Sequence, residues 1–338
     1  MADEAWYDKV NILVRQEGLQ MKQDARLNEA IEMIERVIVG KRREIQLCLI
    51  ALLARGHILL EDVPGVGKTM LVKSMAKTLG MEFKRIQFTP DMLPSDVTGA
   101  SIYNQKTQTF EFRPGPIMAN IVLADEINRT SPKTQSALLE ALEEGHITVD
   151  GETMELKKPF FVMATQNPIE YAGTFPLPEA QLDRFLFKIR LGYPSFSEEM
   201  EILNRMEKTH PLEKIAPVLS PRDVLEMQQE VAAVYVDELV KTYILNIVHA
   251  TRNHPDIRLG LSPRASIMLM RAGQAEAFLR GRDYVIPDDI KAVVFHMFNH
   301  RLLLKTNLSL KDVSVEKVVE EIVSQIPVPV KKKEAMYE

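Results

Sequence analysis

The chain has 338 residues, of which 46% are hydrophobic and 26% charged, a composition typical of a globular protein and unlike that of a disordered chain. The formal net charge of −5 gives no overall electrostatic basis for binding nucleic acid. The single cysteine, Cys48, excludes a disulfide framework within one chain, and its apolar neighbours predict a buried thiol. The acidic start is unlike a signal peptide and no apolar stretch is long enough to span a bilayer, so we expect a cytoplasmic protein.

The first half of the chain, after a polar extension at 1–25, has the periodicity of helices and then of alternating strands and helices. Two predicted helices, at 27–37 and 41–55, are separated by a short break that contains Val39 and Gly40. Predicted strands follow at 57–61, 84–88, 119–124, 160–165 and 187–191, with predicted helices at 68–79 and 131–144. Strands that alternate with helices indicate a parallel sheet covered on both faces.

Two segments interrupt this alternation and have the pattern of hairpins inserted into the α/β core. Residues 96–116 form two short strands around a polar turn, and residues 146–156 form a hairpin that turns at Asp150-Gly151. After about residue 195 the pattern changes to helices without core strands, predicted at 197–208, 221–234, 237–249, 263–279, 287–299 and 313–325. We therefore predict an extension at 1–25, an α/β core at 26–194, an all-α domain at 195–330 and a tail at 331–338.

The turn after the first predicted core strand has the core of a phosphate-binding loop. An apolar strand leads into a glycine-rich turn, and a helix then begins with Lys68 and Thr69. Lys68 would bridge the β- and γ-phosphates and Thr69 would ligate Mg²⁺. Asp62 departs from the full pattern because it occupies the position of the first glycine, and a purely structural turn is the alternative. The N–H groups expected to point at phosphate are those of Gly65, Val66, Gly67, Lys68, Thr69 and Met70.

Polar side chains also end two later strands of the predicted sheet. Asp125 and Glu126 follow one strand, and Asn167 follows another. Because the carboxyl ends of parallel strands meet at one edge of a sheet, we expect these side chains near the phosphate loop. Asp125 would hold Mg²⁺ through water, Glu126 would polarise the attacking water, and Asn167 would orient that water or contact the γ-phosphate. The alternatives are an acidic loop start and an asparagine that caps a turn before Pro168.

Four runs, in this order and spacing, closely resemble the MoxR family of AAA+ ATPases: VPGVGKT, LADEINRTSPKTQSALLEALEEG, ATQNPIEYAGTFPLPEAQLDRF and LSPRA. The resemblance covers roughly residues 25–325. It implies a P-loop AAA+ α/β/α sandwich with a helical lid, a hexameric ring, and ATP with Mg²⁺ at the subunit interfaces. The hairpins at 96–116 and 146–156 match the helix-2 insert and the pre-sensor-1 hairpin of this group.

The resemblance also assigns roles to the loop and strand-end residues. Lys68 and Thr69 fall in Walker A, Asp125 and Glu126 in Walker B, and Asn167 in sensor 1. Each role agrees with the chemistry inferred from the residue types alone.

Further positions gain a role only through this resemblance. Arg184 matches the arginine finger that completes the neighbouring subunit's site, and Arg264 matches sensor 2, in cis or in trans. A planar guanidinium suits the charge that spreads over the transferred phosphate, although an ion pair is the alternative for each arginine. Val39 and Gly40 resemble the adenine-side segment or form an ordinary helix break. Arg129 either faces a neighbour or forms an interface salt bridge.

The resemblance implies a chaperone-like ATPase that remodels or matures a client protein complex, often with a von Willebrand factor A domain partner. The alternative is a DNA-directed motor or a chelatase-type subunit, since these share the two hairpins. The hairpin at 146–156 has an acidic tip, which disfavours DNA. A catalytically silent ring is a third possibility, disfavoured by the presence of Lys68, Glu126 and Arg184. GTP in place of ATP stays open, because no purine-discriminating side chain is recognisable.

Overall fold

The computed structural model describes residues 25–167, 174–207, 211–305 and 314–329. They fall in two compact units, Arg26–Gln229 and a second that begins at Glu230. The predicted change of pattern near 195 precedes this division, and the predicted domain boundaries stay predictions. The tail at 331–338 and the extension at 1–25, except Ala25, lie outside the described residues.

The first unit is built on a sheet of five parallel strands. Their bounds differ by one or two residues from those predicted. The strands are β1 (Ile58–Glu61), β2 (Phe83–Gln87), β5 (Ile121–Asp125), β8 (Phe161–Gln166) and β9 (Phe187–Ile189). They lie in the order β2-β5-β8-β1-β9 across the sheet. The helices of this unit are α1 (Ala25–Glu35), α2 (Arg42–Leu53), α3 (Lys68–Thr78), α4 (Pro94–Thr98), α5 (Pro132–Glu144), α6 (Glu179–Leu182) and α7 (Phe196–Met206). A further helix, α8 (Pro221–Ala233), continues past the end of the unit at Gln229.

The sheet forms because its central strands are apolar on both faces. Every residue of β5 is buried, and β8 is buried up to its last residue, as expected for parallel strands with helices on both sides. On one face, Val122 and Val162 pack in a cluster with Leu138 of α5. The apolar runs stop at the carboxyl ends of β5 and β8, so the polar residues that follow lie at one edge of the sheet.

Two hairpins are inserted between these elements, as the sequence predicts. The first consists of β3 (Gly99–Asn104) and β4 (Thr109–Pro114), and the second of β6 (His146–Val149) and β7 (Glu152–Glu155). In the second hairpin, Asp150 and Gly151 have φ angles of 52° and 83°, the left-handed conformation that a tight two-residue turn requires.

The second unit is mainly helical. Its helices are α9 (Glu238–Asn253), α10 (Pro263–Leu279), α11 (Pro287–Phe298) and α12 (Val315–Gln325). In addition to the predicted helices it has an antiparallel pair, β10 (Ile257–Leu259) and β11 (Leu303–Leu304). These strands are too short for the alternation of apolar and polar residues to be recognisable in the sequence.

Two expectations from composition can be compared with the structure. Cys48 is a buried free thiol on α2, as predicted, and burial raises its pKa. Among the described residues, no helix is both long enough and apolar enough to cross a membrane.

Candidate active site

A cavity of about 360 Å³ lies at the carboxyl edge of the sheet. It brings together most of the residues predicted to bind phosphate, metal and the attacking water. The side chains of Arg85, Gln87 and Thr165, which were not predicted as site residues, also line the cavity. The lining residues are Pro64, Gly65, Gly67, Lys68, Thr69, Met70, Arg85, Gln87, Asp125, Glu126, Thr165 and Asn167.

The phosphate loop between β1 and α3 has the conformation that its glycines allow. Gly65 and Gly67 have φ angles of 86° and 93°, a left-handed backbone that other residues rarely adopt. A Cβ atom at either position would meet no heavy atom within 4 Å, so the space beside the loop is open. Gly67 is also the N-cap of α3, and the unpaired N–H groups of this helix start can bind an anion.

Lys68 and Asp62 connect the loop to its surroundings. The Lys68 Nζ atom donates to the carbonyl oxygens of Asp62 and Val63 at 2.6 and 3.2 Å. Burial lowers the pKa of the Lys68 ammonium, and the carboxylates of Asp62, Asp125 and Glu126 oppose that shift. The Lys68 ammonium attracts a polyphosphate, whereas the neighbouring carboxylates repel it and attract a cation, so this site suits a polyphosphate that carries a metal ion.

The Asp62 side chain has a separate structural role. It is only 7% exposed and accepts hydrogen bonds from the backbone N–H groups of Leu191 and Gly192. These bonds tie the start of the phosphate loop to the segment that follows β9. Asp62, which stands where the generic pattern has glycine, therefore holds the start of the loop against the segment after β9.

Asp125 ends β5 with both carboxylate oxygens occupied. The Thr165 hydroxyl donates to Oδ1 at 2.6 Å. Arg85 donates to Oδ2 through Nη2 at 2.6 Å and through Nε at 3.0 Å. The Asp125 side chain is 12% exposed and that of Arg85 is 46% exposed, so the guanidinium covers the carboxylate from the solvent side.

Glu126 follows in a left-handed backbone conformation with a φ angle of 58°, which is uncommon for a residue other than glycine. Its N–H group donates to the Thr165 hydroxyl at 2.8 Å. Its carboxylate accepts from Gln87 at 2.8 Å and lies 3.3 Å from the Arg129 guanidinium. Backbone and side-chain contacts thus fix the direction in which Glu126 points.

A second cavity, of about 220 Å³, adjoins the first and shares Gly65, Gly67 and Met70 with it. Its wall is largely apolar and includes the predicted residues Val39 and Val66. Gly40 lies beside this wall, against the Glu198 side chain. The remaining lining residues are Val37, Ile38, Lys41, Gly192, Pro194, Ile202, Arg205, Met206 and Pro211. An apolar cavity joined to an anion-binding loop has the form of a nucleotide site.

The two arginines assigned by resemblance are placed differently. The Arg184 Nε atom donates to Glu143 at 2.8 Å, and Arg184 is not among the lining residues of either cavity. Arg264 belongs to the second unit, in the first turn of α10, two residues after the N-cap residue Ser262. Their predicted roles in catalysis stay predictions, as does that of Asn167, which is buried and lines the first cavity.

Comparison with known proteins identifies the family. Residues 57–187 match the ATPase family associated with various cellular activities (AAA), and residues 249–322 match the AAA lid domain. The chain is 44% identical over 312 residues to the chaperone MoxR1 of Mycobacterium tuberculosis, spanning 90% of this chain and 82% of that protein. The chain belongs to the MoxR family of AAA+ ATPases.

Two further comparisons support this assignment. The uncharacterized protein YeaC of Bacillus subtilis is 61% identical over 306 residues, which is 90% of this chain and 96% of YeaC. A crystal structure from Cytophaga hutchinsonii, of a protein provisionally assigned as an ATPase, has a TM-score of 0.84 and 41% identity. It covers 90% of this chain and 95% of that one. The MoxR resemblance, the AAA+ fold with its lid, and the enzyme class of ATP hydrolase, all predicted from the sequence, are confirmed.

Sequence reasoning missed three lining residues of this MoxR family member: Arg85, Gln87 and Thr165. Arg85 and Gln87 are two residues apart on β2, so they lie on the same face of the strand. The sheet register places Gln87 opposite Asp125. The sequence signal that could have indicated these two residues is the occurrence of polar side chains at alternate positions at the end of a core strand.

Proposed function

We propose that this MoxR family member binds Mg²⁺·ATP across the two adjoining cavities and hydrolyses it in the larger one. The observation that carries the proposal is the larger cavity itself. Lys68, Thr69, Asp125, Glu126 and Asn167 come from three separate elements and line one volume beside an open glycine loop. The apolar cavity beyond Gly65 and Gly67 is suited to the base.

The residues present fit a magnesium ion that is held partly by nucleotide. Thr69 and Asp125 offer a hydroxyl and a carboxylate in the same cavity, which are the oxygen donors Mg²⁺ prefers. Among the described residues, no group of three or more His, Cys, Asp or Glu side chains could hold a metal ion alone. Such a site needs phosphate oxygens as well, and the bound ion would neutralise charge that develops on the transferred phosphate.

The chain's own residues would divide the chemistry as follows. Glu126 would accept a hydrogen bond from the attacking water, and its contacts with Gln87 and Arg129 set its position beforehand. Lys68 would leave its carbonyl partners for the phosphates. Asn167 would orient the water or contact the γ-phosphate.

The two arginines would act at a transition state shared between subunits. Arg184 would exchange its ion pair with Glu143 for the site of an adjacent subunit, where a finger of this kind contributes roughly 10³–10⁵ in rate. Arg264 would sense nucleotide from the lid. Sharing of this kind requires an oligomer, and the family resemblance makes a hexameric ring the expected form.

We further propose that hydrolysis drives remodelling or maturation of a client protein complex. The relative MoxR1 is named a chaperone, and the hairpin β3–β4 exposes Tyr103 and Phe110 by 50% and 74%, with their rings 5.4 Å apart. Exposed aromatic pairs are suited to gripping apolar polypeptide. A von Willebrand factor A domain partner and a cytoplasmic location stay predictions from the sequence.

The alternative of a DNA-directed motor or chelatase-type subunit has less support at the hairpin β6–β7. The two lysines that follow it are already paired: Lys157 with Glu82 and Lys158 with Glu155. The hairpin turns at Asp150 and Gly151. This surface therefore lacks the concentrated positive charge that holds a phosphate backbone.

The test is steady-state ATP hydrolysis per subunit over a range of protein concentrations, with GTP as a competing substrate. We expect specific activity to rise with concentration and to be lost in Glu126→Gln and in Arg184→Ala. Nucleotide binding should survive in Glu126→Gln, because only the water-polarising group is changed, and should be lost in Lys68→Ala.

Activity that is independent of concentration and survives Arg184→Ala would refute the shared site. A wild-type chain that binds no nucleotide would refute the proposed site altogether. Binding without hydrolysis under any condition would instead favour the silent ring.

A further inference from the structure

One oxygen of the Asp125 carboxylate, which lines the cavity, already has a cationic partner. Arg85 directs two donors at Asp125 Oδ2, at 2.6 and 3.0 Å, while Oδ1 is held by Thr165. The carboxylate is largely buried and the guanidinium is partly exposed. Displacing Arg85 therefore frees Oδ2 without breaking the bond that anchors the other oxygen.

Arg85 is also positioned by its own strand. The β2–β5 register pairs Arg85 with Leu123 and Gln87 with Asp125, so both polar side chains project beside the end of β5. Arg85 additionally donates to Gln87, which donates to Glu126. The end of β2 thus forms a polar connection to both acidic residues of the site.

A guanidinium and a magnesium ion compete for one oxygen, because two cations at that position repel each other. We propose that Arg85 is a built-in counter-ion, which holds Asp125 while metal is absent and leaves Oδ2 when Mg²⁺·nucleotide binds. This proposal rests on the proposed function of the cavity. Its consequence is that Mg²⁺ enters the site only together with polyphosphate, whose charge attracts the ion, while the partly exposed guanidinium turns to solvent.

The test measures binding rather than turnover. A fluorescent, non-hydrolysable ATP analogue is held at a fixed concentration, and its binding to the full chain is followed as Mg²⁺ is added. In Arg85→Gln we expect the half-saturating Mg²⁺ concentration to fall roughly two- to fivefold, the upper part of the range expected for removing a partly exposed ion pair. Arg85→Lys, which keeps the charge but loses the second donor, should give an intermediate value.

The matched control is Lys84→Gln, which removes one positive charge from the next position of β2. Lys84 is exposed and lies 3.9 Å from Glu82, so its loss should change the half-saturating Mg²⁺ concentration by less than about twofold. Thermal unfolding of each variant shows that the chain remains folded.

An unchanged or raised half-saturating Mg²⁺ concentration in Arg85→Gln would overturn the proposal. The proposal would also be overturned if Arg85→Gln bound the analogue more weakly than the wild type in EDTA, because Arg85 would then contact phosphate in the absence of metal. Both results require that the wild-type chain binds the analogue. Absence of binding in the wild type would refute the nucleotide site and the counter-ion together.

Discussion

Replacing Asp62 by glycine restores the generic phosphate-loop pattern, yet we expect this change to damage the site. The pattern alone predicts a neutral or favourable substitution. In the structure, however, Asp62 is not among the residues with a positive φ angle, so the backbone has no need of glycine there. Its carboxylate instead accepts the N–H groups of Leu191 and Gly192, and glycine removes both bonds.

The size of the effect follows from these two hydrogen bonds. A hydrogen bond to a charged group contributes about 1.5–3 kcal/mol, and the second bond here, at 3.3 Å, is the longer one. Glycine at a position with ordinary φ also costs about 0.5–1 kcal/mol. Because water can replace part of the lost bonding, we expect a net loss of about 2–3 kcal/mol. For a unit of this length that is a fall of roughly 4–12 °C in the unfolding midpoint.

Nucleotide affinity should fall as well, because Gly192 and Gly65 line the same apolar cavity. If about half of this loss of folding free energy also reduces the free energy of nucleotide binding, a fluorescent nucleotide should bind roughly fivefold to tenfold more weakly. Asp62→Asn keeps one acceptor oxygen and should show less than half of each effect. The assays are thermal unfolding by circular dichroism and titration of the nucleotide. An Asp62→Gly variant with wild-type midpoint and affinity would refute the reasoning.

Three other predictions concern separate parts of the first unit. Burial alone would raise the pKa of Glu61, but the Arg190 hydrogen bond and the charges of Lys188 and Arg190 lower it below its ordinary 4.5. The contribution of ionised Glu61 to the stability of the fold is therefore present above pH 4.5 and lost as the pH falls through the lowered pKa. Glu61→Gln should cost about 1 kcal/mol at pH 7, and its urea midpoint should converge with that of wild type in acid. Cys48 should resist a thiol reagent until denaturant is added, since only the thiolate reacts; rapid native labelling would contradict its burial. Phe110→Ser should leave the free energy of unfolding within about 0.5 kcal/mol of wild type and client-free ATP hydrolysis unchanged. A large loss of either would show that the exposed ring has a structural role.

The arrangement of the core could be predicted because its signals are local. Each core strand is a short apolar run, and the Gly65–Thr69 loop stands between a strand and a helix. The polar residues that end β5 and β8 therefore meet at one edge by the geometry of parallel sheets alone. The hairpin at Asp150-Gly151 could be predicted equally well, because these residue types favour the left-handed backbone of a tight turn.

The partners of the acidic residues could not be predicted in this way. Arg85 contacts Asp125 only because β2 and β5 are neighbours in the sheet, and the hairpin β3–β4 separates them along the chain. Strand order and register are properties of the whole sheet, and they decide which side chains meet. The role of Asp62 was hidden for the same reason, since its partners lie beyond β9.

The buried position of the single cysteine makes the chain suitable for site-specific labelling. Because Cys48 is enclosed in α2, a cysteine introduced at an exposed position would be the accessible thiol of the described chain. Thr107, in the exposed turn of β3–β4, offers such a position. A dye attached there would follow the hairpin through the nucleotide cycle in the otherwise natural sequence.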